Sequence, residues 1–282
     1  PTAGPMNGVP RVMSVAEWST HCARVKDAMR EWVKRFVTPI SMSAEYGHGV
    51  SWGTGTYLKI ADRHLLLTNN HVIADVPEGG CLAHLPGPTD DYVAVVRPWC
   101  RVPYPIDVAC TPIPSFSSAG MKGAVPYELI ESEYAPEQDE VLFWIGFPGF
   151  TADRHDAPTE ARQRMTRFGS SLDLPGLPML SQVIRNWNGE DEKRFDPAVH
   201  VAVHYPSEAR TAADGPLTRL PNAKGMSGSL LWDTKYVESL RKSTSWSPND
   251  ARVCGLVWGV LDDPEVVLAT KIEHVRSALC WP

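Results

Sequence analysis

A serine between two glycines is the first candidate for chemistry in this sequence. Ser227 stands in LPNAKGMSGSLLWD, residues 220–233, with Gly225 and Gly228 on either side and an apolar run after it. Glycine adopts backbone angles that other residues resist, so the stretch predicts a tight turn that leads into a strand. A glycine-rich bend with no chemical role has the same pattern. Ser227 is a nucleophile only if the chain also supplies a general base and a group that orients it.

One histidine and one aspartate fit those two roles. His71 comes at the end of HLLLTNNHVI, where an apolar run predicts a strand that ends beside it. Imidazole titrates near neutral pH and can take a proton from a serine hydroxyl. Asp107 begins the apolar run DVACTPI, and a carboxylate at the mouth of a buried strand is costly unless a partner pairs with it. A carboxylate that holds the imidazole in one tautomer completes what serine catalysis needs.

The chain before residue 40 predicts one amphipathic helix. Apolar residues recur at steps of three and four through residues 14–37, which places them on one face: Val15, Trp18, Cys22, Val25, Met29, Trp32 and Phe36. Ser14 and Glu17 have the spacing of a capping box at its start, and Pro39 closes the segment. The apolar face either packs on its own domain or docks on a partner.

After residue 39, short strand-like runs alternate with turn residues, which indicates a mainly β fold. The runs are rich in valine, isoleucine and aromatic residues, and glycine and proline separate them. They read GVSWGTGTYLKI, HLLLTNNHVI, YVAVVRPW, DVACTPI, EVLFWIGFPG, LPMLSQVI, HVAVHY, SGSLLW, ARVCGLVWGVL and EVVLATKI. This pattern suits β-barrels or a sandwich. The closing KIEHVRSALC predicts a short helix, and the polar residues 151–170 predict a surface insertion.

Six segments in order resemble the trypsin-like serine peptidases of the chymotrypsin fold. They are GTGTYLKI with LLTNNHVI, then IDVACTPI, WIGFPG, GMSGSLLWD, GLVWGV and VLATKI. The chain order His71, Asp107, Ser227 is also the order in those enzymes. The chain is more similar to the intracellular and HtrA-like branch than to the digestive branch, and no PDZ-like domain is expected after it.

The resemblance implies a chymotrypsin-type double β-barrel in three parts. Residues 1–39 would form an N-terminal extension and amphipathic helix. Residues 40–125 would form the first barrel, which carries His71 and Asp107. Residues 126–282 would form the second barrel, which carries Ser227 and ends in the short helix.

The resemblance also implies roles at the site. His71 matches the family's base, Asp107 its orienting acid and Ser227 its nucleophile. The backbone N–H groups of Gly225 and Ser227 match the oxyanion hole, which stabilises charge on the substrate carbonyl. The substrate-binding positions would be Pro221 and Asn222 at the pocket base, Val257, Trp258 and Gly259 on the strand that pairs with substrate, and Val267 at the far wall. Without an acid at the pocket base, we expect small or medium apolar substrate side chains.

Asp90 and Asp91 are alternative candidates for the orienting acid. They precede YVAVV and lie nearer to His71 in the sequence than Asp107 does. The segment IDVACTPI matches the family better, which favours Asp107.

Two departures from the digestive enzymes bear on activation. Met226 stands where those enzymes have an aspartate that pairs with a newly cleaved N-terminus, so activation by trimming is not expected. Val72 replaces the cysteine that usually follows the base. Because the loop that carries Ser227 lacks this ion pair, the chain could rest in an inactive state. An activating protein partner that binds the N-terminal helix would then switch it on. Single-domain peptidases of this kind resemble effectors that partners activate in bacterial stress or defence systems.

Composition argues against several other classes. The formal net charge of −6 disfavours a nucleic-acid partner. No run approaches the roughly 18 apolar residues of a membrane span, and the N-terminus lacks the apolar core of a secretory signal. The six cysteines form no CxxC pair, which favours free thiols and a reducing, cytoplasmic compartment. Neither a metal nor a cofactor is expected, because five further histidines lie outside any HExxH motif. They are His48, His64, His84, His200 and His204.

These patterns predict an intracellular serine endopeptidase that cleaves protein substrates through an acyl-enzyme. Two alternatives stay open: a catalytically weak peptide-binding or scaffolding module on the same fold, and an esterase. An intact triad argues against the module, and a collapsed oxyanion loop would argue for it. Strand pairing of a peptide along Val257 to Gly259 favours peptides over other esters.

Overall fold

The computed structural model describes most of the 282-residue chain. It describes residues 13–45, 48–76, 78, 80–86, 93–95, 98–114, 123–148, 176–184, 187, 189, 194–205, 208–210, 217–220, 223–262 and 265–280. The predicted insertion at 151–170 lies outside these residues, as do Asp90, Asp91, Pro221 and Asn222.

The first sheet holds eight strands. They are β1 Val37–Glu45, β2 His48–Ile60, β3 Arg63–Thr68, β4 Cys81–His84, β5 Val93–Ala94, β6 Cys100–Val102, β7 Val108–Ile113 and β8 Val125–Pro126. Their order is β5-β4-β1-β2-β3-β7-β6, and β8 pairs with β2 off this path. Only the β2–β8 pair is parallel among these described strands.

The second sheet holds six strands in the order β10-β9-β14-β15-β16-β11. They are β9 Leu142–Gly146, β10 Leu177–Ser181, β11 His200–His204, β14 Leu230–Asp233, β15 Arg252–Asp262 and β16 Glu265–Lys271. Beyond its end, β10 meets the other edge strand through a bridge between Val183 and Val203. The His204 N–H donates to Gln182 O at 3.0 Å across the same junction, which curls the sheet towards closure. Strands β12 Glu208–Arg210 and β13 Leu217–Arg219 form a separate pair.

These two curled sheets, antiparallel except for the β2–β8 pair, confirm the predicted mainly β, chymotrypsin-type double-barrel fold. The largest apolar cluster draws on both sheets and on the N-terminal helix, with Leu58, Phe143 and Met29 among its buried members. The two sheets and the helix therefore share this cluster, and each sheet has a further apolar cluster of its own. The predicted division of the chain at residues 39 and 125 stays a prediction.

Helix α1, Val15–Val33, packs its apolar face on this core. Its predicted capping box is present: the Glu17 N–H donates to Ser14 Oγ at 3.2 Å, and the Ser14 N–H donates to the Glu17 carboxylate at 2.9 Å. Val25 and Met29 are fully buried, and each such side chain contributes about 1.5–3 kcal/mol on transfer from water. The helix therefore packs on its own chain, which was the first of the two alternatives; the other was docking on a partner.

Three elements differ from the sequence prediction. Strand β1 includes Pro39, which was expected only to end the helix. Proline is tolerated there because pairing with β4 begins at Ile40, one residue later, so the missing N–H interrupts no bond to that strand. The segment NNHVI leaves the strand and forms the short helix α2, Asn70–Ala74. Helix α3, Tyr236–Arg241, was not expected, whereas the C-terminal helix α4, Ile272–Ala278, was.

Candidate active site

Strand pairing brings Asp107 next to His71. Strands β3 and β7 are antiparallel, with Thr68 opposite Ala109 at the end of the ladder. Two further steps along each chain place Asp107 opposite Asn70, beside His71 in the first turn of α2. The sequence separates the two residues by 36 positions, and the sheet removes that separation.

Two hydrogen bonds join the Asp107 carboxylate to His71. Asp107 Oδ1 accepts the backbone N–H of His71 at 2.9 Å, and Asp107 Oδ2 lies 2.6 Å from His71 Nδ1. An ionised carboxylate only accepts, so Nδ1 carries the proton in the neutral ring and Nε2 keeps its lone pair. The Asp107 side chain is 7% exposed and the His71 side chain 39%. The pair therefore has a buried acid and a half-open imidazole, which is the geometry of a general base with a fixed tautomer.

The backbone of Asp107 is held in an uncommon conformation. Its φ of 52° lies in the left-handed region, which aspartate tolerates better than most residues. The side-chain amide of buried Asn69 donates to Asp107 O at 2.7 Å. This role of Asn69 was not foreseen. The sequence shows an asparagine beside His71, and no local pattern shows which carbonyl it meets.

Ser227 follows a tight turn formed by residues 223–226. The Met226 N–H donates to Ala223 O at 3.0 Å, and Gly225 at the third position has φ 97°. Because Lys224 before it is not left-handed, this is a type II turn, which requires a positive φ at its third residue. Gly225 is therefore needed for the shape of the loop.

Strand β2 of the first sheet holds this loop in place. The Thr54 N–H donates to Ser227 O at 2.8 Å, and Thr54 Oγ1 donates to Gly225 O at 2.8 Å. Gly228 has φ 96°, and a Cβ built on it would lie 1.9 Å from Thr54 O, so no side chain fits there. A Cβ on Gly53 would contact both Val72 and Ser227 O, which shows that the His71 helix and the Ser227 loop are neighbours.

Met226 anchors the loop by burial. Its side chain is 1% exposed and packs in the apolar cluster of the second sheet with Trp144, Leu231 and Val257. The sequence predicted that methionine could not form the ion pair of the digestive enzymes. The described structure has an apolar contact at this position instead.

The Ser227 hydroxyl points to a carbonyl of the second sheet. Ser227 Oγ donates to Trp258 O at 3.2 Å, and within the described part of the chain it makes no hydrogen bond with His71. The pairing of β15 with β16 has a bulge between Val257 and Gly259, so Trp258 stands outside the regular ladder and its carbonyl can accept. The structure thus brings Ser227 beside the predicted substrate strand, with its hydroxyl turned away from the imidazole.

Two backbone donors beside Ser227 are open. Among the described residues, no acceptor meets the N–H of Gly225 or of Ser227. Both residues are half-buried, and two N–H groups without a protein acceptor in one shaped turn are suited to a ligand oxygen. These are the two donors predicted for the oxyanion hole.

The other predicted substrate positions lie on β15 and β16. Val257 and Trp258 are buried, Gly259 follows the bulge, and Val267 is fully buried opposite Val260. Their contact with substrate stays a prediction.

The described residues hold no group of three or more His, Cys, Asp or Glu side chains arranged for a metal ion. None of the helices in the described part is long and apolar enough for a membrane span. His200 is buried, and His204, four residues along the same strand β11, is exposed.

His71 lies in the first turn of α2 and Asp107 immediately before β7, both beside the first sheet, and Ser227 lies in the loop before β14 of the second. The chain has the mainly β, two-sheet architecture described above. Among solved structures, it is similar to the Rv3671c protease of M. tuberculosis in its active form, at 16% identity, covering 100% of this chain and 94% of that chain with a TM-score of 0.47. An inactive serine-to-alanine mutant of Rv3671c matches at 16% identity, 92% and 91% coverage and a TM-score of 0.48.

A structure concerned with the disordered VPg protein of Sesbania mosaic virus matches at 15% identity, over 87% of this chain and 90% of that chain, with a TM-score of 0.46. No protein-family model matches the sequence, and no curated protein matches it significantly.

Proposed function

We propose that the chain is a serine endopeptidase in which Ser227 is the nucleophile, His71 the general base and Asp107 the orienting acid. The observation that supports this most is the two-point contact between Asp107 and His71. It fixes the proton on Nδ1 and leaves Nε2 as a base, on a half-open ring beside the serine loop. A purely structural histidine would not need a buried carboxylate bonded to both its backbone and its ring.

Catalysis begins when the Ser227 side chain rotates from Trp258 O towards His71 Nε2. Oγ then attacks the substrate carbonyl carbon while its proton moves to Nε2. The carbonyl oxygen becomes an oxyanion and accepts the N–H groups of Gly225 and Ser227. Collapse breaks the C–N bond, His71 returns the proton to the amine that leaves, and the acyl-enzyme is hydrolysed by water through the same steps.

The proposed substrate is an extended peptide that pairs along β15. Strand β14 pairs with β15 only as far as Leu256, and the serine loop bonds Val257, so a peptide would pair with the backbone of β15 beyond Val257. Such backbone bonds give affinity independent of sequence, and a side-chain pocket gives specificity. We keep the expected preference for small or medium apolar side chains, with Val257 and Val267 beside the pocket. The predicted pocket-base residues lie outside the described part of the chain.

We also propose a reducing, intracellular compartment, supported by six free cysteines. A protein partner that activates the chain through α1 stays part of the proposal. Because Val25, Met29 and Val33 are buried in the core, such a partner would bind the polar face of the helix rather than the apolar one.

One observation favours the second candidate, a peptide-binding module with weak chemistry. The Ser227 hydroxyl is bonded to Trp258 O and not to the base. If that arrangement persisted with substrate bound, the strand β15 would still bind a peptide without cleaving it.

Labelling with a fluorophosphonate probe tests the proposal. The probe is applied to the wild-type chain, to Ser227→Ala and to Ser277→Ala, an exposed serine in α4 that serves as the matched control. Labelling of wild type and Ser277→Ala but not of Ser227→Ala supports the peptidase. Labelling of wild type only in lysate of the source cell supports an activating partner. No labelling under any condition favours the binding module, and equal labelling of Ser227→Ala would show that another serine reacts.

A further inference from the structure

A buried histidine of the second sheet bonds to the loop that carries Asp107. His200 is 1% exposed, and its Nε2 lies 2.7 Å from Pro105 O. Its Nδ1 lies 3.0 Å from the backbone N of Asp196, which donates to it. An N–H only donates and a carbonyl only accepts, so the ring is neutral with its proton on Nε2. Both nitrogens therefore have fixed partners and one tautomer.

A threonine on the neighbouring strand repeats this contact. Thr270 on β16 is the cross-strand partner of His200, and Thr270 Oγ1 donates to Ile106 O at 3.0 Å. Two adjacent side chains of the second sheet thus hold two successive carbonyls, immediately before Asp107. We call the bonds from His200 and Thr270 the loop clamp.

The same imidazole also packs on the residue that holds the serine hydroxyl. The ring centroids of His200 and Trp258 are 5.0 Å apart, and Tyr104 lies 5.9 Å from the first ring and 6.2 Å from the second. Trp258 Nε1 is buried without a hydrogen-bond partner among the described residues, so packing alone orients this indole. His200 therefore contacts both the Asp107 loop and the strand that places Ser227.

We infer that His200 is a positioning residue of the site: its neutral imidazole ties the loop before Asp107 to Trp258, and so sets Asp107 and Ser227 relative to each other across the two sheets. Its kinetic consequences rest on the proposed function, whereas the geometry of the clamp does not. Small displacements matter here, because a shift of about 1 Å at a catalytic group can cost about 10²-fold in rate.

Protonation of His200 would break the clamp from one side. A proton on Nδ1 would face the Asp196 N–H, so two donors would meet. Burial lowers the pKa of His200, and the nearby His274 and Lys271 act in the same direction, while the Asp196 carboxylate and the bond to Pro105 oppose it. Tyr104 packs on the ring from the loop side. The neutral form thus persists to lower pH than in an ordinary histidine.

Two substitutions separate the hydrogen bonds from the ring packing. His200→Phe keeps an aromatic ring against Trp258 and removes both hydrogen bonds, whereas His200→Gln keeps an N–H donor near the Nε2 position for Pro105 O. The matched control is His204→Gln, an exposed histidine four residues along the same strand. For each variant the fluorophosphonate reaction is resolved into a maximal rate and a half-saturating concentration, across a pH series.

We expect His200→Phe to lower the maximal rate about 10²-fold with little change in half-saturation, and His200→Gln to recover at least part of it. At acid pH the wild-type rate should fall for two reasons, protonation of the general base and protonation of His200. The variant His200→Gln loses only the second group, so its rate should fall with a shallower slope. His204→Gln should match wild type in both measurements. A maximal rate in His200→Phe within twofold of wild type would overturn the inference, as would an acid slope unchanged in His200→Gln.

A second readout does not depend on chemistry. The proton between His71 Nδ1 and Asp107 should give a far-downfield NMR resonance, which its loss in Asp107→Asn would assign. We expect it to shift or broaden in His200→Phe and to persist in His204→Gln. If the resonance moves in His200→Phe but wild type is not labelled by the probe, the peptidase proposal is rejected and the loop clamp is retained. If the resonance does not move in a folded His200→Phe protein, the loop clamp is rejected. If His200→Phe does not fold, the resonance and acid slope of His200→Gln decide alone.

Discussion

The hydroxyl of Ser227 donates to the carbonyl oxygen of Trp258 at 3.2 Å. The bulge in β15 frees that carbonyl from the ladder, so the contact follows from the strand irregularity rather than from the catalytic loop. A single neutral hydrogen bond contributes only about 0.5–1.5 kcal/mol net. Rotation of one side chain towards His71 therefore costs little compared with a catalytic barrier, and the resting contact is compatible with an active enzyme.

Asp107→Asn should remove most of the proposed activity. An asparagine amide facing Nδ1 donates instead of accepting, which moves the imidazole proton to Nε2 and leaves no base for Ser227. We expect a loss of about 10⁴-fold in the maximal rate with little change in half-saturation, measured with a chromogenic ester or the fluorophosphonate probe. Asp62→Asn, in the exposed turn before β3, is the matched control and should retain full rate. A loss below tenfold in Asp107→Asn would return Asp90 and Asp91 to candidacy for the acid.

Gly228→Ala should disrupt the junction between the serine loop and the first sheet. The new Cβ would meet Thr54 O at 1.9 Å, at a φ of 96° that alanine resists. We expect a loss of at least about 2 kcal/mol in the free energy of unfolding, together with loss of labelling. Urea unfolding monitored by tryptophan fluorescence gives the first quantity. Gly123→Ala is the control, because its Cβ would lie 3.4 Å from the Phe36 ring, an ordinary contact. Equal stability of both variants would contradict the tight approach of Gly228 to Thr54.

Met226 should stabilise the loop by volume and not by any polar contact. Truncation of this buried side chain to alanine should cost about 2–5 kcal/mol in unfolding free energy. Met226→Leu conserves volume and should cost less than about 1.5 kcal/mol. Chemical denaturation of the two variants checks both values, and the labelling rate should fall with Met226→Ala but not with Met226→Leu. Equal stabilities would show that burial of Met226 does not anchor the turn.

The strongly patterned elements could be predicted from the sequence, and the reasons are physical. Runs such as VCGLVWGV and VVLATKI have the length and β-branched content of buried strands. Strands β15 and β16 cover them except for Ile272, which begins α4. The α1 capping box and most of its apolar face likewise follow from spacing, although Val15 is exposed and Phe36 lies beyond the end of the helix at Val33. Helix α2 has five residues, which is too short to show a helical period, so NNHVI was included in a strand.

The candidate site was less predictable than the strands, because its contacts join segments far apart in the chain. His71 and Asp107 were found as strand-end residues, a position that sequence can show. The bond from Ser227 to Trp258 depends on a bulge, and no local pattern marks it. His200 was interpreted as an ordinary core or surface histidine, since its partner Pro105 lies 95 residues away.

All six cysteines should react with a disulfide reagent as free thiols, at two distinct rates. Cys81, Cys100 and Cys280 are exposed. Burial raises the pKa of Cys110 to about 12 and that of Cys22 to about 11, and it raises the pKa of Cys254 as well. Because the thiolate is the reacting form, a disulfide reagent should modify the first three quickly and the other three slowly in the native protein. In denaturant without reductant all six should react, and any smaller number would indicate a disulfide.

Stability should fall as the pH drops below neutral, and His200 should contribute to that fall. Burial lowers the folded-state pKa of this imidazole, so the unfolded chain binds a proton near its ordinary value of about 6.5 while the folded chain does not. Protons then favour unfolding, and the free energy of unfolding loses up to about 1.4 kcal/mol per pH unit between the unfolded and folded pKa values of His200. The slope ends below the folded pKa, where both states are protonated. Urea unfolding at a series of pH values for wild type, His200→Phe and His204→Gln isolates this contribution, because carboxylate titrations are common to all three. His204→Gln should follow wild type and His200→Phe should show a shallower decline, whereas parallel curves for wild type and His200→Phe would show that His200 is not held neutral in the fold.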